Sequence, residues 1–422
     1  MPHATTPAEP APPLADRQLS GGAVSWDEAR RRAHAAAAPA PGRHVPLHAA
    51  PGHTLAEDLL ARGPLPSFDT AAMDGFAVAG RGPWVLRGSA RAGAPWPGRL
   101  GPGHCVGIST GAPVPPGASA VLPLEAASVT AGRVSGPGLA DGRHIRRTGE
   151  DAAAGDRLAP AGTRVGPALV GLAATGGHDT LLVRPRPRVT VLVTGDELDR
   201  TGVPAAGRVR DALGPLLPAL VAELGAETAS PVYVRDRPGE LARKIGNSSG
   251  TGTTGAADTA GAARPTEAAG ITVVTGSTSV GPTDQLRRLL ADGGARMVVD
   301  TVACRPGHPM LLAELSPARW VVGLPGNPYA ALVAARTLLG PLVAGLSGRR
   351  PGPLVPVPVH GRVKPAPGRT RLVPVAWDGD GCRIVGGHRA AFLRGAACGD
   401  ALAALGPDWT DGAPAPVLLP GT

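Results

Sequence analysis

The chain has 422 residues, 61 of them Gly and 48 Pro, yet 43% of it is hydrophobic. A Gly/Pro share near a quarter without a repeat borders on low complexity, but apolar runs such as Val189–Val193 and Ile271–Val274 mark a globular chain with irregular connections. Its length suits two to four domains at roughly 100–200 residues each. The net charge of +9 is almost all arginine, since Lys244 and Lys364 are the only lysines. Because the arginines are dispersed and aromatics make up 3%, a base-stacking surface for nucleic acid is not expected. An anionic small molecule suits guanidinium forks better.

No run of about 18 uncharged apolar residues is present, so no membrane-spanning helix is expected. The best candidate, Ala330–Leu346, carries Arg336 and a Gly-Pro pair. Met1–Gly22 is rich in Pro and Ala, with no basic stretch before an apolar core, and reads as a disordered leader rather than a signal peptide. Cys105, Cys304, Cys382 and Cys398 are scattered, which argues against a zinc site or a disulfide framework and for the cytoplasm.

In chain order, Ser25–Ala38 predicts a helix opened by a Ser25/Glu28 capping box. His53–Asp58 predicts a short helix. Trp84–Leu86, Cys105–Ile108, Ala120–Leu122 and Ser128–Val129 are short apolar runs cut by Gly and Pro, the pattern of a small β-rich module. Arg146–Arg184 predicts helix again, with Gly166-Pro167 opening Ala168–Thr175 and Gly176-Gly177 closing it. From Arg188 the pattern becomes α/β. Val189–Val193, Thr228–Val234, Gly270–Thr275, Met297–Val302 and Trp320–Gly323 predict strands. Leu213–Leu224, Pro238–Ile245, Asp284–Leu290 and Ala330–Leu339 predict helices, and the alternation predicts a mostly parallel sheet. A Ser/Thr/Gly/Ala-rich stretch, Gly246–Glu267, reads as a solvated insertion. After Arg350 the sequence turns β-like, with Leu354–Val359 and Leu372–Ala376.

Ligands of open α/β sheets bind at the carboxyl ends of strands. Four loops there are unusual: Thr194–Glu197, Thr275–Gly281 followed by Asp284, Arg305–Pro309, and Gly323–Pro328. Small residues after a strand expose backbone N–H groups that wrap anions. Asp196, Glu197, Asp211, Asp236 and Asp284 are able to hold a divalent cation or accept hydrogen bonds from a polar heterocycle. Taken singly, each loop is an ordinary turn, each Asp a cap, and His308 a satisfied histidine. Likewise Asp69 and Asp74-Gly75 are either turn residues or part of a small-residue loop over a cleft.

Together and in order, these segments resemble the molybdopterin molybdenumtransferase family, the MoeA-type molybdate insertases and gephyrin E-domain. Phe68–Phe76 is similar to FDxxAMDG[YF], Thr110–Pro115 to TGAPVP, and Arg147–Asp151 to RxGED. Gly155–Gly162 follows, then Thr194–Leu198 (TGDEL) and Thr275–Gly281 (SGGVSVG-like). Arg305–Pro309 (KPGKP-like) and Gly323–Pro328 (GLPGNP) complete the series.

The resemblance implies an α/β multidomain protein. A disordered leader (1–23) precedes an elongated helical part (24–50 and 145–185) carrying an inserted β-rich module (51–144). An α/β pterin-binding domain (186–346, with 246–267 flexible) and a small C-terminal β-barrel (347–422) follow. It also implies a homodimer whose cleft joins one subunit's α/β domain to the other's inserted module. Further partners would be molybdopterin adenylyltransferase and apo-molybdoenzymes. The implied reaction inserts molybdate into adenylylated molybdopterin, hydrolyses the adenylate with Mg²⁺ and releases AMP.

Carried over by position, Asp284, Arg305, His308, Glu197 and Asp236 are the catalytic set, with Asp284 and Glu197 toward the metal. Asp74, Thr110, Asp151, Thr194, Gly195, Asp211, Gly276, Ser277, Ser279, Gly281, Pro325, Gly326 and Asn327 would bind substrate. Four departures stand out. Arg305 and His308 replace two lysines, and Ser277 replaces a Gly. Ala212-Leu213 replaces a Ser/Thr-Asn pair, and Ala390–Phe392 replaces a GSH-like segment. A divergent paralogue that binds molybdopterin without turnover is therefore the alternative.

Overall fold

The computed structural model describes residues 22–237, 239–247, 270–276, 285–352, 354–364 and 366–419. Two compact units result. One joins the chain up to Gly42 with everything from Arg184 onward, and the other is Arg43–Val183.

The first unit is built on a sheet in the order Glu227–Thr228, Arg188–Thr194, Gly270–Thr275, Arg319–Leu324, Leu311–Ser316, Arg296–Val299, and Val232–Val234 also pairs with Arg188–Thr194. The strands from Glu227 to Leu324 in this order run parallel, and the last two form an antiparallel edge. Central parallel strands are buried on both faces, so their residues read as continuous β-branched runs. Val189, Val191, Val193, Ile271 and Val273 pack toward the helix Leu213–Glu223 and the helical rod starting at Pro328. Leu192, Val274 and Val321 pack the other way, against Leu241 and Ile245 of Glu240–Asn247 and Leu286 and Leu290 of Gln285–Asp292.

The rod Pro328–Leu346 is 94% buried. It accommodates Gly340-Pro341 through a π-turn at Ala335–Leu339, in which the Gly340 N–H donates to Ala335 O. Helix Trp26–Ala35 starts as predicted, with the Ser25 hydroxyl accepting from the Glu28 N–H at 3.2 Å. It buries Trp26, Ala29 and Ala33 in this α/β core rather than grouping with 145–185, because its small residues fit against the rod. The Trp26 indole N–H donates to Thr337 Oγ1 at 3.0 Å.

Within the same unit, Val355–His360, Thr370–Asp378, Gly381–Ile384, Ala401–Leu405 and Pro414–Leu418 close into a five-stranded barrel. Val359, Val373, Val375, Cys382, Ala403 and Val417 fill it.

In the second unit a six-stranded sheet runs Ala120–Pro123, Gly75–Val78, His104–Ile108, Trp84–Ala90, Arg133–Ser135, Ser128–Thr130. This matches the β-rich module expected from its short apolar runs. Helix Pro167–Thr175 packs through Leu169 and Ala173 on Val45, Leu181 and Val183 of the pair Arg43–Pro46 and Thr180–Arg184. The remaining helix expected in Arg146–Arg184 is replaced by short strands such as Arg157–Ala159, since Gly and Pro recur too often for a helix to propagate. His53–Asp58 is likewise not a helix but contains the strand Thr54–Leu55. Thr228–Val234 is broken into two strands at Ser230-Pro231. Leu311–Ser316 is a strand that periodicity missed, and it supplies the partner that turns Arg296–Val299 antiparallel.

Candidate functional site

Three parallel strands end side by side, at Thr194, Thr275 and Leu324. The Thr194 hydroxyl donates to Thr275 O at 2.5 Å, and the Gly276 N–H donates to Leu324 O at 3.1 Å. Gly276 has φ +87, and a Cβ there would stand 2.8 Å from Thr194 Oγ1. Beside it, a Cβ on Gly326 would stand 3.4 Å from the Gly276 Cα. Side chains at Gly276 and Gly326 would thus fill the space in which the loops meet. Pro325 is buried below, while Gly326 and Asn327 are exposed. Asn327 begins the rod with extended backbone and makes no side-chain capping bond; Pro328 carries no N–H, and the Ala330 N–H donates to Ala390 O at 3.0 Å.

Carboxylates gather at the same edge. Gly195, at φ +136, sits against Glu197, whose Oε2 would lie 2.8 Å from a Cβ at residue 195. The Asp196 N–H donates to Asp236 Oδ2 at 3.3 Å, which places Asp236 at this loop. Glu197 and Asp236 are both exposed. Among the described residues no group of three or more His, Cys, Asp or Glu forms a metal cage. Two carboxylates at an open loop do fit Mg²⁺, which keeps several waters and takes the rest of its shell from substrate phosphate. Ser277, Ser279, Gly281 and Asp284 lie outside the described residues.

Asp211 is 4% exposed, and both of its oxygens are engaged within the protein. Oδ1 accepts from the Leu213 and Gly214 N–H groups at 2.9 Å each, and Oδ2 accepts from the Tyr233 hydroxyl at 2.7 Å. It therefore caps helix Leu213–Glu223, a role that needs no polar side chain at 212 or 213. Burial, and then the bond to Asp211, raises the Tyr233 phenol above its ordinary value. Arg200 covers the Tyr233 ring at 4.2 Å.

Arg305 is exposed on the short strand Cys304–Arg305, which pairs with Thr370–Arg371 of the barrel. His308 is held differently. Its Nδ1 lies 2.6 Å from Val302 O, and the Val302 N–H donates to His308 O at 3.1 Å. A carbonyl only accepts, so Nδ1 carries the proton. In the neutral ring Nε2 is then a lone pair, which repels an oxyanion rather than binding it.

In the Arg43–Val183 unit, Asp74 and Thr110 form one element. Asp74 Oδ1 accepts from the Thr110 N–H at 2.6 Å and from its hydroxyl at 2.9 Å. The N–H bond, and then the hydroxyl bond, hold the Asp74 carboxyl below the usual carboxylate range. Gly75 cannot carry a side chain here, since its Cβ would meet Leu122 O at 2.0 Å. Asp151 is exposed on a turn and donates its N–H to Leu65 O at 2.9 Å.

Asp69 and the Arg147–Asp151 motif, read separately in the sequence, form a neighbouring cluster. Asp69 accepts from the Thr148 N–H at 2.9 Å and the Thr148 hydroxyl at 3.0 Å, and pairs with Arg147 at 2.6 Å. The Thr148 N–H is the largest of the influences that lower the Asp69 pKa. This cluster fastens the 68–76 loop to the 147–151 turn.

Residues 24–177 match the family described as "MoeA N-terminal region (domain I and II)", and residues 190–345 match "Probable molybdopterin binding domain". Molybdopterin molybdenumtransferase 1 of Mycobacterium tuberculosis is 32% identical over 355 residues, 77% of this chain and 79% of the relative. The chain belongs to the molybdopterin molybdenumtransferase family. A Nostoc member is 31% identical over 324 residues, 73% of this chain and 70% of that protein. The fold matches the molybdopterin biosynthesis MoeA protein of Pyrococcus horikoshii OT3, with TM-score 0.73, 20% identity, and coverage of 94% of this chain and 100% of that one. This is a transferase family of molybdenum cofactor biosynthesis, and the strand-end loops fall inside its matched molybdopterin-binding region.

Proposed function

We propose that the chain inserts molybdate into adenylylated molybdopterin, hydrolyses the adenylate in an Mg²⁺-dependent step and releases AMP with molybdenum cofactor. The observation that carries this reading is the meeting of the Thr194, Gly276 and Gly326 loops at the strand ends beside two carboxylates. The backbone at Gly276 and Gly326 leaves room for a phosphorylated pterin to approach the strand-end loops. Asn327 orients polar edges of that ligand. Glu197 and Asp236, with Asp284, would hold Mg²⁺, which supplies neutralisation of phosphate charge when bound. Arg305 adds a permanent positive charge for the oxyanion. Cleaving such a phosphate bond depends on positioning and charge neutralisation more than on covalent help. The proposal includes a homodimer in which Asp74, Thr110 and Asp151 of one protomer complete the partner's cleft.

The test is incubation of the purified protein with adenylylated molybdopterin, Mg²⁺ and molybdate. AMP by chromatography and cofactor by reconstitution of an apo-molybdoenzyme should appear in equal amounts. Appearance of neither product would sink the proposal. The bond from His308 to Val302 favours a second reading, a molybdopterin binder without turnover. It predicts saturable pterin binding with no AMP in the same assay.

A further inference from the structure

The mouth of the C-terminal barrel contains a cavity of about 380 Å³ between the turn beginning at Gly361 and the turn Gly406–Asp411. That volume lies within the roughly 300–1,000 Å³ of small-molecule pockets, and barrel mouths are common places for them. One wall is apolar, formed by Val363, Leu405 and Trp409. The Trp409 indole N–H donates to Ala413 O at 2.9 Å, which fixes the ring.

Three further lining groups are cationic: Arg362, Lys364 and Arg371. Among the described residues none of the three forms an ion pair with a carboxylate. Arg371 Nε is buried without a hydrogen-bond acceptor. Burial, and then the charge of Arg305, lowers the Arg371 guanidinium below the usual arginine value. The acid that lines the cavity, Asp411, already accepts from the Gly361 N–H at 2.9 Å and stands 3.7 Å from His360 Nδ1. A buried donor without an acceptor is costly. Phosphate oxygens would satisfy it and offset the crowded positive charge.

We propose that this cavity binds an organic phosphate with an aromatic body, the ring lying on Trp409 and the phosphate on Arg371 and Lys364. The cavity adjoins Arg305, which pairs with Arg371, but its lining includes none of the strand-end loops, and its occupancy is read by binding without turnover. AMP is a suitable probe, titrated into the full-length protein while tryptophan fluorescence is followed, with inorganic phosphate in parallel. Saturable quenching is expected that Trp409→Phe abolishes and inorganic phosphate relieves. Arg371→Gln combined with Lys364→Gln should raise the apparent Kd by about tenfold or more, and Arg371→Lys by less, as expected for losing charge-assisted bonds. Circular dichroism and thermal melting establish that each variant is folded. Should the double variant not fold, Lys364→Glu at an exposed position carries the same expectation. Quenching that survives in Trp409→Phe, an unchanged Kd in the charge variants, or no relief by phosphate overturns the proposal.

Discussion

Single side chains in the Arg43–Val183 unit make a pH prediction. Asp69 and Asp74 both have carboxyl pKa values lowered by hydrogen bonds from Thr148 and Thr110. In the unfolded chain they titrate near the ordinary value of about 3.9. A lowered folded value means their contribution is present above that pH and is lost as pH falls through the folded value. Thermal melting of the protein should therefore fall steeply below about pH 4. Asp69→Asn should lower Tm at neutral pH and flatten this acid limb, read by calorimetry across pH 2–7. At Gly276, both φ +87 and the 2.8 Å approach to Thr194 Oγ1 exclude a side chain. Gly276→Ala should cost about 1–3 kcal/mol through backbone strain and crowding. On the proposed function, which places ligand at this loop, AMP release should fall more than stability.

Helices and strands explain what the sequence revealed and what it hid. The parallel strands were legible because burial on both faces demands unbroken β-branched runs, and Val189–Val193 is one. Asp211 was legible as an acid at a strand-end region. That its carboxylate caps a helix and takes the Tyr233 hydroxyl was not, because the partners are separated by fold rather than spacing. The rod Pro328–Leu346 poses the same problem. Arg336 marked it as unlike a membrane segment, but its partner Glu223 lies 113 positions away at 2.6 Å. Arg336 is 8% exposed, and its removal leaves Glu223 without its guanidinium. Arg336→Met should therefore destabilise the α/β unit by about 1–2 kcal/mol, through the loss of its bonds to Glu223 and Leu419 O. Urea unfolding should show a lower midpoint with an unchanged slope, the mark of lost stability without altered compactness.

At the scale of the whole molecule, ordered signatures specified the family although each is a plain turn in isolation. The internal use of His308 was not legible, since only the fold brings Val302 O to its ring. Placing a lysine there tests whether the strand-end site lacks a cation. His308→Lys should raise AMP release about tenfold, the effect of one charge-assisted hydrogen bond of roughly 1.4 kcal/mol. An unchanged rate would mean that Arg305 already suffices.

The proposed dimer makes a stronger prediction, because it assigns Asp74 and Gly326 to different protomers of one cleft. Asp74→Ala and Gly326→Val should each abolish AMP release when pure. After mixed refolding, half of the dimers combine one protomer of each kind. In such a dimer one cleft carries both changes and the other carries neither. Activity should recover to about a quarter of wild type, the share of intact clefts under random pairing in a two-fold dimer. If both groups instead served a cleft within one chain, every cleft would carry one change and mixing would restore nothing.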